Sequence, residues 1–236
     1  MNLINGGSMK KLFWFLPIVL LVAFLLSCDK INSILNDNQN KDPNTIAGDT
    51  NLPLNQVGNT VGTSVVVGGK SYNISSSISI VKNENGVATY KVTADLTKSA
   101  DLQKINNYIP SSFKDASGKI NAQINYKITS EGIQDYFNKD GKAHTIAKYD
   151  CQVGDIYQMS KSDGKTITRK VTAVSTTDDF AYSGMYIKTI ATEQDSRIPG
   201  VRKFVYRTNH KFGLVYVEAQ LEDGSTAGTY LYPSKY

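Results

Sequence analysis

Residues 72–96 read YNISSSISIVKNENGVATYKVTADL, and this stretch decides the fold class. Apolar and polar side chains alternate on both sides of the turn at residues 83–86, which is the pattern of half-buried β-strands. An Asn-Gly pair between two such runs is a strong hairpin signal, because both residues tolerate the positive φ angles that the tight turn requires. The sequence therefore predicts two antiparallel strands joined by a tight turn.

Further alternating runs extend this architecture. Residues 119–129 have one apolar face, and Asp-Gly pairs at Gly164 and Gly224 mark turns between other runs. Additional strands are expected at residues 156–159, 166–174, 182–192, 201–208, 212–221 and 228–232. The prediction is one mainly β domain over residues 61–236. It is an antiparallel sandwich or a partly open barrel, because periodicity does not distinguish the two.

Two short helices are expected among the strands. Ser99 can cap a helix that ends before Pro110, and Ser130 can cap a shorter helix. The apolar residues that would face the sheet are Leu102, Ile105 and Ile109 in the first and Ile133, Tyr136 and Phe137 in the second. Both helices would pack on the sheet as lids.

The N-terminus predicts export and lipid attachment. Two lysines precede the uncharged residues 12–26, a run too short for a spanning helix and interrupted by Pro17. The run ends in Leu25-Leu26-Ser27-Cys28, which resembles the lipobox of bacterial lipoproteins. The resemblance implies that residues 1–27 are a removed signal peptide and that Cys28 carries acyl chains, palmitate among them, that anchor the protein.

The segment between the lipid and the first strand reads as a tether. Residues 28–60 are rich in Asn, Asp, Thr and Gly and contain few large apolar side chains. We expect a flexible linker that holds the β domain away from the bilayer.

Charge and motifs argue against several classes of function. The net charge of +5 comes without long basic runs, so no nucleic-acid partner is expected. Cys151 could act as a nucleophile only with a base such as His144 or His210, and none of them stands in a catalytic motif. The two histidines are far apart in sequence, which disfavours zinc. We predict no enzyme activity, no catalytic residue, no metal and no cofactor.

Two features indicate a ligand or partner surface. The chain contains 14 tyrosines, many of them on the last strands, and tyrosine combines a rigid apolar ring with a polar tip. A polar turn at residues 207–213 separates two apolar strands and offers hydrogen-bond donors. The predicted surface residues are Tyr206, Arg207, Asn209, His210, Lys211 and Tyr216.

These features predict a lipid-anchored cell-envelope protein with a binding or structural role. The segments YDCQVGD (149–155) and NHKFGLVYVE (209–218) are similar to parts of uncharacterised cell-envelope lipoproteins, a resemblance that implies no activity. The alternatives are a carrier or chaperone of lipid or apolar molecules in a half-open barrel and, third, a hydrolase. Expected partners are the membrane, through Cys28, and carbohydrate, lipid or another envelope protein. The expected location is extracytoplasmic, with the outer membrane preferred to the inner.

Overall fold

The computed structural model describes residues 43–236, which form two antiparallel sheets and a separate hairpin. One α-helix, α1 (Ala100–Asn106), and two 3-10 turns, Pro53–Asn55 and Ser111–Phe113, accompany them. The strands are β1 (Val61–Val67), β2 (Lys70–Tyr72), β3 (Ser76–Glu84), β4 (Val87–Ala94), β5 (Ile120–Thr129), β6 (Gly132–Asp135), β7 (His144–Lys148), β8 (Ile156–Ser160), β9 (Thr166–Val174), β10 (Phe180–Tyr182), β11 (Met185–Ile187), β12 (Ile190–Asp195), β13 (Val201–Asn209), β14 (Gly213–Leu221) and β15 (Thr226–Pro233).

The two large sheets pack face to face. The order in the eight-stranded sheet is β2-β1-β15-β14-β13-β12-β9-β8, and in the five-stranded sheet it is β3-β4-β5-β6-β7. Buried side chains from both sheets form one apolar core between them. The sheets do not close into a barrel. The predicted mainly β antiparallel fold is confirmed, and the structure is of the sandwich kind.

The hairpin at residues 72–96 forms as predicted. β3 and β4 pair antiparallel, and Asn85 and Gly86 between them have φ angles of 52° and 79°. These positive angles are those of a type I′ turn, whose twist matches that of the flanking strands. The apolar side chains of both strands, among them Ile80 and Tyr90, face the core. Local sequence therefore determines this part of the sandwich.

One of the two predicted helices is present. The Ser99 hydroxyl accepts a hydrogen bond from the backbone N–H of Leu102 (3.2 Å) and caps α1. The second prediction was wrong, because residues 132–135 are strand β6. Gly132 lies so close to β7 that a Cβ there would be 2.6 Å from the carbonyl oxygen of Ala147. The glycine thus permits close strand pairing where the spacing of apolar residues indicated a helix.

The predicted single strand at residues 182–192 is divided. Ser183 and Gly184 adopt φ angles of 48° and 80° and form a turn between β10 and β11. Only β12 joins the eight-stranded sheet, and the β10–β11 hairpin packs on the outer face of that sheet. This hairpin brings residues 180–187 over β14 and β15.

Part of the predicted tether contacts the domain. Residues 1–42, with the predicted signal peptide and lipobox, lie outside the described residues, whereas residues 43–60, here called the strap, lie against the domain. Asn44 Oδ1 accepts from the backbone N–H of Thr145 on β7 (3.1 Å), and Asn44 Nδ2 donates to the carbonyl of Gln158 on β8 (2.6 Å). Ile46 and Leu54 are buried. The strap thus differs from the flexible linker expected, because asparagine amides supply contacts that its few apolar side chains do not.

The strap runs across one end of the sandwich, which we call the strap end. The backbone N–H of Ser130, in the β5–β6 turn, donates to the carbonyl of Asp49 (2.9 Å). Asn55 Nδ2 donates to the carbonyl of Ile128 (2.7 Å). Asn59 then bonds through its backbone carbonyl to the N–H of Ile80 on β3 (2.9 Å). The strap therefore spans the core from the β7–β8 side to the β3 side.

A buried ion pair joins the two sheets where β9 of one faces β6 of the other. Arg169 on β9 and Asp135 on β6 are both almost fully buried, and an arginine Nη lies 2.6 Å from a carboxylate oxygen. The same guanidinium donates to Gln194 Oε1 (2.9 Å) and to the carbonyl oxygen of His144 (3.0 Å). Burial of the charges is thus compensated by directed hydrogen bonds.

No helix within residues 43–236 is long and apolar enough to cross a membrane.

Candidate binding surface

One polar side chain of the predicted turn at residues 207–213, that of Asn209, stabilises the turn. Asn209 Oδ1 accepts from the backbone N–H groups of Lys211 (2.8 Å) and Phe212 (3.1 Å), and its Nδ2 donates to the carbonyl of Lys188 (2.8 Å). Every polar atom of this amide therefore serves the turn itself. His210 is exposed next to it, and the Lys211 ammonium lies 4.8 Å from the ring centre of Tyr236.

Tyr206 does not belong to the predicted surface. It is only 1% exposed and lies between the sheets, where the Arg169 guanidinium is 5.0 Å from its ring centre. Neighbouring residues on a strand point to opposite faces, so Tyr206 and Arg207 could not both face outward. That alternation was readable from the sequence and would have separated the two.

Arg207 and Tyr216 do lie on the same face, the outer face of the eight-stranded sheet. The two residues are paired across β13 and β14. The Arg207 guanidinium lies 4.9 Å from the ring centre of Phe180, and an Nη donates to the Thr189 hydroxyl (3.1 Å). The ring centres of Tyr216 and Tyr230 are 4.6 Å apart.

Six aromatic side chains gather on this outer face, and we call them the aromatic face. The rings of Tyr230 and Tyr232 are parallel within 2°, with centres 6.2 Å apart, and Phe180 stacks on Tyr230 at 5.9 Å. Tyr182 contacts Phe212 at 5.3 Å and Tyr232 at 5.1 Å. The members are Phe180, Tyr182, Phe212, Tyr216, Tyr230 and Tyr232. Phe180 was missed by the sequence analysis, and the Ser183-Gly184 turn that folds it onto the sheet was the available signal.

A glycine allows Tyr216 to lie flat on the sheet. A Cβ at Gly228 would be 2.0 Å from the Tyr216 hydroxyl oxygen, so only glycine leaves room for the ring at this height. The hydroxyl donates to Glu218 Oε2 (2.9 Å). Burial, together with the nearby Glu218 carboxylate, raises the pKa of Tyr216 above its ordinary value. The phenol therefore stays protonated and remains a donor to Glu218.

A row of hydrogen-bonding groups continues from the aromatic face along β14. Gln220 Nε2 donates to Glu218 Oε1 (3.0 Å), and an Arg202 Nη donates to Gln220 Oε1 (2.7 Å). These side chains, here called the polar row, are only partly buried or exposed. Four partly exposed rings thus adjoin a line of fixed donors and acceptors on one face, whereas Tyr182 and Phe212 are buried.

The residues considered for catalysis are poorly suited to it. Burial raises the pKa of the half-buried Cys151 thiol, so the thiolate is disfavoured at neutral pH. Burial and the nearby Arg169 lower the pKa of His144 well below its ordinary value, and its Nε2 lies 3.1 Å from the carbonyl oxygen of Tyr157. Within residues 43–236, no three His, Cys, Asp or Glu side chains form a group that could hold a metal ion.

An apolar cavity lies between the sheets near the strap end. Its volume is about 40 Å³, and its walls include Leu54 of the strap, Phe212, Tyr90 and Tyr126. A cavity that admits a molecule as small as benzene measures about 150 Å³. This cavity is therefore too small for an acyl chain.

Comparison with known proteins yields one similar structure. No protein-family model and no curated protein matches the sequence. A solved structure from Bacteroides fragilis, provisionally described as an exported protein with a YmcC-like fold, shares 11% sequence identity with this chain at a TM-score of 0.45. The match covers 78% of this chain and 98% of that one.

Proposed function

We propose that the protein is an exported lipoprotein, anchored through Cys28, whose β domain binds a glycan on the aromatic face. The lipobox at residues 25–28 supports the anchor, and the aromatic face with its polar row supports the ligand class. The single observation that carries the binding role is the near-parallel pair Tyr230 and Tyr232, with the polar row farther along the same face of the sheet.

A site that binds a sugar ring needs both an aromatic surface and hydrogen-bonding groups beside it. One face of a pyranose ring consists largely of C–H groups, whereas its edge carries hydroxyls. Aromatic rings bury the C–H face, and tyrosine adds a polar tip. Carboxylate, amide and guanidinium groups along the polar row can exchange their mutual hydrogen bonds for bonds to hydroxyls. An extended glycan lying along β14 and β15 would contact both sets of groups.

A binding role is favoured over catalysis by the state of the reactive side chains. Cys151 is held as a thiol and His144 as a neutral ring engaged with a backbone carbonyl, so no activated nucleophile and base are paired. The carrier alternative is disfavoured by the small size of the cavity.

Replacing Tyr230 by alanine is expected to weaken glycan binding about tenfold, because an aromatic contact contributes up to about 1.5 kcal/mol. The measurement is affinity electrophoresis of the mature protein in native gels containing a neutral β-glucan, a mannan or an acidic alginate. Tyr136→Ala, which removes a half-buried tyrosine outside the aromatic face, serves as the control and should keep wild-type mobility. Unretarded wild-type protein in all three gels, or equal retardation of both variants, would contradict the proposal.

Replacing Cys28 by alanine is expected to abolish lipid attachment. In cells given a radiolabelled fatty acid, the wild-type protein should carry label and sediment with membranes, and the variant should carry none. Cys151→Ala changes the other cysteine of the chain and should behave as wild type. Label on the Cys28→Ala protein would refute the lipobox assignment.

A further inference from the structure

Exposed apolar side chains collect at the strap end. Val57 is 60% exposed, Tyr236 is 52% exposed, and Met185 and Tyr186 in the β10–β11 hairpin are 48% and 66% exposed. Large apolar side chains at such exposure usually mark a contact surface when they lie together.

The contacts of these residues show that they lie close together. Met185 pairs with Tyr182, whose ring contacts Phe212, and the Phe212 ring lies 4.6 Å from that of Tyr236. On the strap side, Asn59 lies two residues beyond Val57, and its Nδ2 donates to the carbonyl of Lys235 (3.2 Å). The exposed apolar residues therefore form one corner of the domain.

Three lysines border this corner. Lys188, Lys211 and Lys235 are exposed, and within residues 43–236 none of them forms an ion pair with a carboxylate. The Lys188 carbonyl is tied to Asn209, and the Lys211 ammonium lies over Tyr236, so all three belong to the same corner. The acidic residues nearest to this corner in sequence are Glu193, which pairs with Lys203, and Asp179, at the base of the β10–β11 hairpin. We call the set the docking corner: Val57, Met185, Tyr186, Lys188, Lys211, Lys235 and Tyr236.

We propose that the docking corner rests on the anionic surface of the bilayer that holds the lipid anchor. The inference rests on the proposed anchoring through Cys28. Tyrosine rings and apolar side chains bordered by lysines match the interfacial region of a membrane, where rings lie at headgroup level and ammonium groups meet phosphates. The surface charge of the corner is thus complementary to anionic lipid.

The length of the tether permits this orientation. Fourteen residues lie between Cys28 and Pro43, and an extended chain from one to the other spans about 50 Å. A nine-residue strand of the sandwich is about 30 Å long. The chain can therefore reach from the bilayer to the point where the strap begins while the strap end touches the membrane. In this pose the strands stand upright and the aromatic face remains open to the side.

The test follows backbone hydrogen exchange in the mature lipidated protein on two kinds of vesicle. One contains phosphatidylglycerol mixed with phosphatidylcholine, and the other contains phosphatidylcholine alone. We expect slower exchange in residues 183–188 and 209–213 on the anionic vesicles, reversed by high salt. The Lys188→Glu/Lys211→Glu variant should lose this protection, because each lysine near an anionic surface strengthens binding about fivefold.

A matched control carries the same change of charge elsewhere. Lys91→Glu/Lys98→Glu alters two exposed lysines on and beside β4 and should retain the protection. Protein that stays on the vesicles through its lipid but shows no protection at the corner would overturn docking and leave anchoring intact. Protein that washes off the vesicles would overturn the anchoring and the docking with it.

Discussion

Replacing Asp135 by alanine is expected to lower the free energy of unfolding by about 3–5 kcal/mol. The change leaves the Arg169 guanidinium charged and buried between the sheets, where it loses the carboxylate oxygen at 2.6 Å. The arginine cannot escape by deprotonation, because a guanidinium stays protonated in proteins even when it is buried. Chemical denaturation followed by far-ultraviolet circular dichroism measures the loss.

A double variant isolates the cost of the unpaired charge. Asp135→Leu/Arg169→Met removes both charges and replaces them with apolar groups, a change that is often close to neutral for buried pairs. We therefore expect the double variant to be more stable than Asp135→Ala. If the two were equally unstable, packing around residue 135 rather than charge pairing would be the main contribution.

Replacing Asn59 by alanine is expected to destabilise the domain by about 3 kcal/mol. Asn59 is 1% exposed, and its amide links the strap to the C-terminal segment. Its Oδ1 accepts from the Ser234 hydroxyl (2.6 Å) and the Lys235 N–H (3.1 Å), while its Nδ2 faces the carbonyls of Leu54 and Lys235. Each buried group left unpaired costs about 1–3 kcal/mol.

Thermal unfolding compares this variant with Asn73→Ala. Asn73 is exposed, and its removal should change stability by no more than about 0.5 kcal/mol. The Asn59→Ala protein should also show faster hydrogen exchange in residues 48–58, because the strap loses its fixed end. A wild-type melting temperature for Asn59→Ala would mean that the strap contributes little to stability.

Periodicity predicted most of the antiparallel strands because each of them has one buried face. The β3–β4 hairpin follows from alternation and from an Asn-Gly turn, both of which are local signals. The position of the strap does not follow from local signals, since its contacts come from the amides of Asn44, Asn55 and Asn59. An asparagine that donates to a distant carbonyl looks the same in sequence as one in a flexible linker. Polar composition alone therefore misses segments that are fixed by directed hydrogen bonds.

The candidate site was predicted in part for a related reason. The structure brings Arg207 and Tyr216 together on one outer face, but Tyr206 faces the core and Asn209 serves its own turn. The remaining members of the aromatic face come from β15, the β13–β14 turn and the β10–β11 hairpin. Their proximity depends on strand order, which period-two patterns do not encode.

The position of the strap also determines how the domain would respond to a pull from the membrane. A load carried by the proposed lipid anchor would enter at Pro43 and reach the hydrogen bonds of Asn44 with β7 and β8 first. Those bonds and the ones that follow would break one after another, as in peeling, while the β1–β15 pair behind them, seven residues long in β1, stays closed. Peeling residues 43–60 would release about 60 Å of chain. Under load, the strap would thus detach first and lengthen the tether before the sandwich itself begins to unfold.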